Sequence, residues 1–159
     1  MSLVKINKKI PEFSVSTTAG QIQSKNLQGK NVVLYFYPKD NTSGCTQQGQ
    51  DFRDKHTLFQ KQQTIILGVS RDSLSSHEKF KEKQNFPFEL ISDQDEKLCT
   101  LFDVIKEKSM YGKKYLGIER STFLIDEKGT LRQEWRKVKV KGHVDEVLAT
   151  VKNLQRTPL

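Results

Sequence analysis

The chain has 159 residues and a formal net charge of +8. This length suits one ordinary domain with a full hydrophobic core, and we expect a single domain over residues 1–159. The cations are spread along the sequence without a long block of like charge or a recognised nucleic-acid motif, so we expect no nucleic-acid partner. No apolar run is long enough to cross a bilayer or to serve as a secretory signal, so we expect no membrane partner.

Residues 13–23 alternate in polarity around a glycine and predict a small N-terminal β-hairpin. Residues 32–37 form a continuous apolar run, which indicates a strand that is buried on both faces. A helix is predicted over 45–60, because its two phenylalanines lie seven residues apart and would share a face. Residues 64–70 predict a second buried strand.

Two stretches with capping-box spacing, 75–78 and 93–96, predict the starts of two further helices. The first helix is charged and runs to about residue 83, and residues 88–92 predict a third strand. The second helix is expected to bury Leu98, Leu101 and Phe102. Residues 106–119 are interpreted as a long loop that carries Met110, Tyr111 and Tyr115, and we hypothesise that this loop lines a pocket and controls access to it.

The last part of the chain predicts two strands, over 121–125 and 130–136, with a tight turn between them. A C-terminal helix follows, with an apolar stripe made by Val144, Val147, Leu148 and Val151. The element order βαβαβα followed by ββα predicts an α/β fold. We expect a central mixed β-sheet flanked by helices on both faces, with right-handed crossovers between its parallel strands.

Cys45 stands where a polar turn ends and the helix over 45–60 begins. A helix N-terminus offers unpaired backbone N–H groups and the positive end of the helix dipole. Together with a nearby cation, such a position favours the thiolate, which is the nucleophilic form of cysteine. The ordinary alternative is a buried cysteine that serves only as a small apolar side chain.

Three stretches of the sequence match a known family. The first is Pro-x-x-x-Thr-x-x-Cys, present here as Pro38, Thr42 and Cys45. The second is the stretch 108–126, which includes Arg120, and the third is 137–143. In their order and spacing the chain resembles the peroxiredoxins, specifically the bacterioferritin comigratory protein or peroxiredoxin Q group. The resemblance covers nearly the whole chain, and it implies a thioredoxin-like fold and no cofactor.

The resemblance implies reduction of a hydroperoxide, with Cys45 as the nucleophile that becomes a sulfenic acid. It assigns to Arg120 a permanent positive charge and forked N–H donors beside the sulfur. Thr42 offers a hydroxyl to the peroxide, and the backbone N–H groups of Gly44 and Cys45 are further donors. Pro38 ends the strand and shields the thiolate from water.

The chain departs from this family pattern at three positions. Many relatives carry a second cysteine five residues after the first, where this chain has Gln50. Gln48 stands where the family often has a glutamate, which removes a negative charge near Cys45 and favours the thiolate. Ser43 stands where the family often has a proline, which leaves the turn less constrained.

Cys99 is the one other thiol, far from Cys45 in sequence and without the Cys or His spacing of a metal site. We weigh a half-buried inert cysteine against a resolving role, which would need a large motion because a disulfide requires Cα atoms within about 7 Å. The one-cysteine cycle is favoured, with thioredoxin as the reductant and glutathione or a glutaredoxin as alternatives. Two unpaired cysteines suit a reducing compartment, so we expect a cytoplasmic protein, and relatives in this group are often monomers.

Other functions compete with a peroxidase. A thiol–disulfide exchanger would need two thiols separated by two residues, which the chain lacks. A peroxide-sensing relay with little turnover would use the same activated cysteine, and only a rate measurement separates the two. A cysteine–histidine hydrolase is left open by spacing alone, although His56, His77 and His143 stand at no motif spacing relative to Cys45.

Overall fold

The computed structural model describes residues 2–156. This part of the chain forms four α-helices: α1 (Ser43–Lys61), α2 (Leu74–Gln84), α3 (Lys97–Leu101) and α4 (His143–Arg156). Its nine strands are β1 (Ser14–Thr17), β2 (Gly20–Gln23), β3 (Asn31–Phe36), β4 (Thr64–Ser70), β5 (Glu89–Ser92), β6 (Ile105–Met110), β7 (Lys113–Ile118), β8 (Ser121–Ile125) and β9 (Leu131–Trp135). Among the described residues, no helix is both long enough and apolar enough to cross a membrane.

Seven strands form one sheet in the order β2-β1-β5-β4-β3-β8-β9. The central strands β3, β4 and β5 are parallel, whereas β8 pairs antiparallel with β3 and β1 pairs antiparallel with β5. Each parallel connection passes through a helix, as such crossovers require. The prediction of a mixed sheet with an N-terminal hairpin is confirmed.

Strand β3 shows why its sequence is apolar at every position. Successive side chains point to opposite faces, and each face carries its own core. Val32, Leu34 and Phe36 join the core that contains α3, while Val33 and Tyr35 join the core that contains α1, α2 and α4. Helices therefore cover both faces, as the element order predicts.

Both predicted capping boxes are wrong in detail. Helix α2 begins two residues earlier than its box implies, because the Ser73 hydroxyl accepts the Ser76 N–H at 3.1 Å. Helix α3 follows Glu96 in a left-handed conformation, with φ of 62°. The next N–H groups of the helix, those of Leu98 and Cys99, donate to the Asp93 carboxylate. In each case the helix start is set by a serine or aspartate that precedes the helix and whose side chain accepts N–H groups of the first turn.

The prediction of a long loop over 106–119 is also wrong. This segment is a β-hairpin in which β6 pairs antiparallel with β7, outside the central sheet. Its two-residue turn, Tyr111 and Gly112, has positive φ at both positions, which is the geometry that matches strand twist. The strands carry many lysines and lack a clear apolar alternation, so the sequence pattern resembles a loop. Tyr111 lies at the tip with 98% of its surface exposed, so it does not line a pocket.

Candidate functional site

The site lies at the carboxyl end of β3, where three parallel strands end and α1 begins. The Tyr37 N–H still donates to the Val69 carbonyl at 2.9 Å, which extends the pairing of β3 with β4 by one residue. Pro38 follows with no N–H to donate, so the pairing stops there. Asn41 then takes a positive φ of 63°, which turns the chain into the first turn of α1.

Thr42 is the N-cap residue of α1, with extended backbone angles but no side-chain cap bond. Its hydroxyl donates instead to the Lys39 carbonyl at 2.8 Å. Its own carbonyl accepts the Thr46 N–H at 2.9 Å and starts the helical ladder. The N–H groups of Gly44 and Cys45 therefore have no acceptor inside the helix and lie at the positive end of its dipole.

Arg120 reaches this turn from the neighbouring strand. Ser121 of β8 pairs with Phe36 of β3, so the preceding residue, Arg120, lies at the carboxyl end of β3. Its Nη2 donates to the Cys45 sulfur at 3.3 Å. The sulfur atom belongs to a residue with only 2% of its surface exposed. The structure thus brings together two residues that are 75 positions apart in sequence.

Gln48 holds the other end of the guanidinium. It lies one helical turn after Cys45, is fully buried, and accepts from Arg120 Nη1 at 2.7 Å. Because the anchor is a neutral amide, it orients Arg120 without cancelling its charge. Gly44 lies directly against the guanidinium. A Cβ added at this position would lie only 3.2 Å from Arg120 Nη2, which is closer than most side-chain contacts. The glycine lets the guanidinium lie against the first turn of α1.

Two of the three histidines, His77 and His143, are hydrogen-bonded to groups other than the Cys45 sulfur. His77 contacts Asp40 at 2.8 Å, and His143 contacts the Thr122 hydroxyl at 2.8 Å. Burial, and then the charge of Arg120, lower the pKa of His143 to about 4, so it is neutral at physiological pH. His56 packs near Phe88, and burial lowers its pKa. No histidine is placed as a base for the thiol by these contacts.

Cys99 lies in α3, in the core on the other face of the sheet from Cys45. It is fully buried. Burial raises the pKa of its thiol well above the usual range, and the neighbouring Asp93 carboxylate adds to the shift. The structure therefore keeps the two cysteines apart, with the central sheet between them.

Two features of the site were missed by sequence reasoning. Lys108 on the β6–β7 hairpin has a lowered pKa, first because of burial and then because of the Arg120 charge. It lies within a matched stretch, but no motif singles it out. Asp40, Asp72 and His77 form a cluster whose polar atoms lie within 4.8 Å of one another and could hold a metal ion. These atoms are already hydrogen-bonded to protein groups, so the cluster forms a hydrogen-bond network.

Comparison with known proteins places the chain in a family. Residues 6–134 match the model of the AhpC/TSA family. Peroxiredoxin Bcp of Bacillus subtilis (strain 168) is 51% identical over 152 residues, which are 95% of this chain and 97% of that protein.

Two solved structures share the fold over almost the full length. The Xanthomonas campestris bacterioferritin comigratory protein, described for its alkyl peroxide reduction activity, is 53% identical with a TM-score of 0.86, covering 90% of this chain and 92% of its own. A mutant of Xylella fastidiosa PrxQ is 41% identical with a TM-score of 0.90, covering 95% and 97%. These similarities confirm the thioredoxin-like fold. The chain therefore belongs to the AhpC/TSA family and, within it, to the bacterioferritin comigratory protein or peroxiredoxin Q group of peroxiredoxins, which are thiol-dependent peroxidases.

Proposed function

We propose that this protein reduces hydrogen peroxide and organic hydroperoxides through a sulfenic acid on Cys45. The observation that carries the proposal is the 3.3 Å contact from Arg120 Nη2 to the Cys45 sulfur, at a helix start with unpaired N–H groups. A permanent cation and aligned backbone dipoles both favour the thiolate over the thiol. A thiolate formed in advance needs no histidine base.

The reaction transfers one oxygen atom to sulfur. The Cys45 thiolate attacks the terminal oxygen of the hydroperoxide in line with the O–O bond, and a sulfur–oxygen bond forms as the O–O bond breaks. The terminal OH remains on sulfur as sulfenic acid, so the sulfur is oxidised by two electrons. The leaving oxygen departs as hydroxide or alkoxide and takes up a proton to give water or an alcohol.

The surrounding groups meet the needs of this transition state. Negative charge moves from sulfur onto the leaving oxygen, so donors that face both oxygens stabilise it. Arg120 and the N–H groups of Gly44 and Cys45 are these donors. The Thr42 hydroxyl already donates to the Lys39 carbonyl, so it serves the peroxide as an acceptor for its O–H. Pro38, half-buried beside the turn, excludes water from one side.

Recycling follows a one-cysteine route. Gln50 replaces the second cysteine of many relatives, and Cys99 lies on the other face of the sheet with a thiol held protonated. An external thiol therefore attacks the sulfenic acid, releasing water and leaving a mixed disulfide. A second thiol then frees the Cys45 thiol and carries away the disulfide. We propose thioredoxin as the donor, with glutathione or glutaredoxin as the alternative, in the reducing cytoplasm that free thiols suit.

A steady-state assay tests the activity, the nucleophile and the route together. Hydrogen peroxide and an alkyl hydroperoxide are each paired with thioredoxin or glutathione, using wild type, Cys45→Ser and Cys99→Ser. We expect many turnovers for wild type and Cys99→Ser and none for Cys45→Ser. Rapid oxidation of Cys45 without sustained turnover would instead indicate a peroxide-sensing relay. Intact mass after one equivalent of peroxide shows the route, and a Cys45–Cys99 disulfide would contradict the one-cysteine cycle.

A further inference from the structure

The side chain of His77 is fully buried, and both of its ring nitrogens face oxygen atoms. Nε2 lies 2.9 Å from the Ile91 carbonyl oxygen, and Nδ1 lies 2.8 Å from Asp40 Oδ2. A carbonyl oxygen can only accept, so Nε2 carries a hydrogen. The Nδ1 contact joins His77 directly to the Asp40 side chain in the interior.

Asp40 is the centre of a larger set of contacts. Its Oδ1 accepts from the Tyr37 hydroxyl at 2.7 Å, and its Oδ2 also accepts from the Ser76 hydroxyl at 2.8 Å. Its backbone N–H donates to Asp72 Oδ2 at 2.9 Å. Residue 40 is thus fixed through its side chain to α2 and through its backbone to the turn after β4. A buried carboxylate with this many donors is rigidly placed.

The position of Asp40 in the chain shows which segment these contacts hold in place. Lys39 before it and residues 41–43 after it are all exposed, whereas Asp40 is buried. Asp40 is therefore the interior anchor of the turn that leads from β3 into α1. Thr42 lies two residues later and Cys45 five residues later. Movement of this anchor would move the helix start away from Arg120, which is held separately at the start of β8.

We propose that the Asp40–His77 pair is a positioning device for Cys45, which holds the turn over 38–42 where the Cys45 sulfur meets Arg120 and the N–H donors. This inference rests on the proposed function, because it concerns the same thiol. His77 and Asp40 touch no reacting atom, and they act through the backbone of the turn. Displacement of a reacting group by about 1 Å can slow a reaction by about a hundredfold, so the anchor affects the rate.

Two substitutions of His77 separate positioning from simple stabilisation. The amide of His77→Asn stands where Nδ1 was and can donate to Asp40, while that of His77→Gln stands where Nε2 was and can donate to the Ile91 carbonyl. Each keeps one of the two buried contacts. Thr64→Val is the matched control, because it removes a buried hydroxyl that donates to Gln62 at the far end of β4.

The measurement is the second-order rate of Cys45 oxidation by hydrogen peroxide, followed by stopped flow, beside urea unfolding of each variant. We expect His77→Gln to react about tenfold more slowly than wild type and His77→Asn to stay within about threefold. Thr64→Val should lose stability without losing rate. Equal rates for the two His77 variants, whether slow or fast, would overturn the positioning role.

A milder variant keeps the proposal testable if the His77 variants do not fold. Tyr37→Phe removes the donor to Asp40 Oδ1 and keeps the buried ring. A slower oxidation of Tyr37→Phe supports the positioning role, and an unchanged rate contradicts it. Failure of the proposed function looks different: wild type itself would react with peroxide no faster than a small free thiol.

Discussion

The two cysteines of this chain occupy similar local positions and have opposite surroundings. Each is nearly or fully buried, and each lies in the first turn of a helix. At Cys45 the helix N–H groups lack a side-chain cap, and Arg120 lies 3.3 Å from the sulfur. At Cys99 the Asp93 carboxylate binds the N–H groups of the helix start and raises the pKa of the thiol, after burial itself.

We infer from this comparison that a helix start alone does not activate a thiol. A carboxylate that caps the helix cancels the favourable dipole and adds a like charge to any thiolate. A guanidinium does the opposite and also supplies directed donors. We therefore propose that the sign of the nearest charge, which tertiary packing decides, makes Cys45 reactive and leaves Cys99 inert.

The largest expected effect comes from exchanging each sulfur for oxygen. Cys45→Ser should abolish peroxide turnover, because the nucleophile is lost. Cys99→Ser should retain turnover within about twofold while losing about 1 kcal/mol of unfolding free energy, since the hydroxyl fills less apolar volume than the thiol but can donate to the neighbouring Asp93 carboxylate. Coupled peroxidase assays and urea titrations measure the two effects. A large loss of turnover in Cys99→Ser at normal stability would mean that the comparison is wrong.

Removal of the cation should produce the next largest effect. Arg120→Ala should slow Cys45 oxidation by about a hundredfold, because a donor to the transition state and a charge beside the thiolate are both lost. Arg132→Ala is the matched control, since Arg132 pairs with Asp126 on β8–β9. Stopped-flow oxidation with peroxide gives both rates. Equal slowing in the two variants would show that the net charge of the protein, rather than the Arg120 contact, drives the reaction.

A smaller effect is expected from a carboxylate introduced beside Arg120. Gln48→Glu should slow oxidation about threefold to tenfold at neutral pH, because a buried negative charge beside Arg120 competes with the thiolate for the guanidinium. Gln47→Glu adds the same charge on the exposed side of α1 and should change little. Unchanged kinetics in Gln48→Glu would show that a neutral anchor for Arg120 is unimportant.

The smallest effect concerns the inert cysteine and alkaline pH. Burial holds the pKa of Cys99 high in the folded state, whereas an unfolded thiol titrates near about 8.5. The free energy that this thiol contributes is present below that pH and is lost as pH rises above it. Between pH ~8.5 and ~9.5, we expect the unfolding free energy of wild type to fall by about 1 kcal/mol more than that of Cys99→Ala. Parallel pH profiles of the unfolding free energy for wild type and Cys99→Ala would contradict this expectation.

Local sequence was a good guide where one principle dominates. The apolar run of β3 and the proline after it fix a buried strand and its end, because burial on both faces leaves no room for polar side chains. The polar turn after that strand predicts a helix start at residue 45, and α1 begins two residues earlier, at Ser43. The β6–β7 hairpin was missed because its strands are largely exposed, and without a buried face the two-residue alternation carries no signal.

By itself, the sequence determined the layered α/β fold, the place of Cys45 at a helix start and, through family resemblance, the partnership with Arg120. Only the tertiary structure decided that Gln48 orients the guanidinium, that Asp40 and His77 anchor the turn, and that Cys99 lies across the sheet beside a carboxylate. The reason is physical. Strand and helix periods are local properties of the chain, whereas the charge that a buried sulfur meets depends on which distant strands and helices become its neighbours.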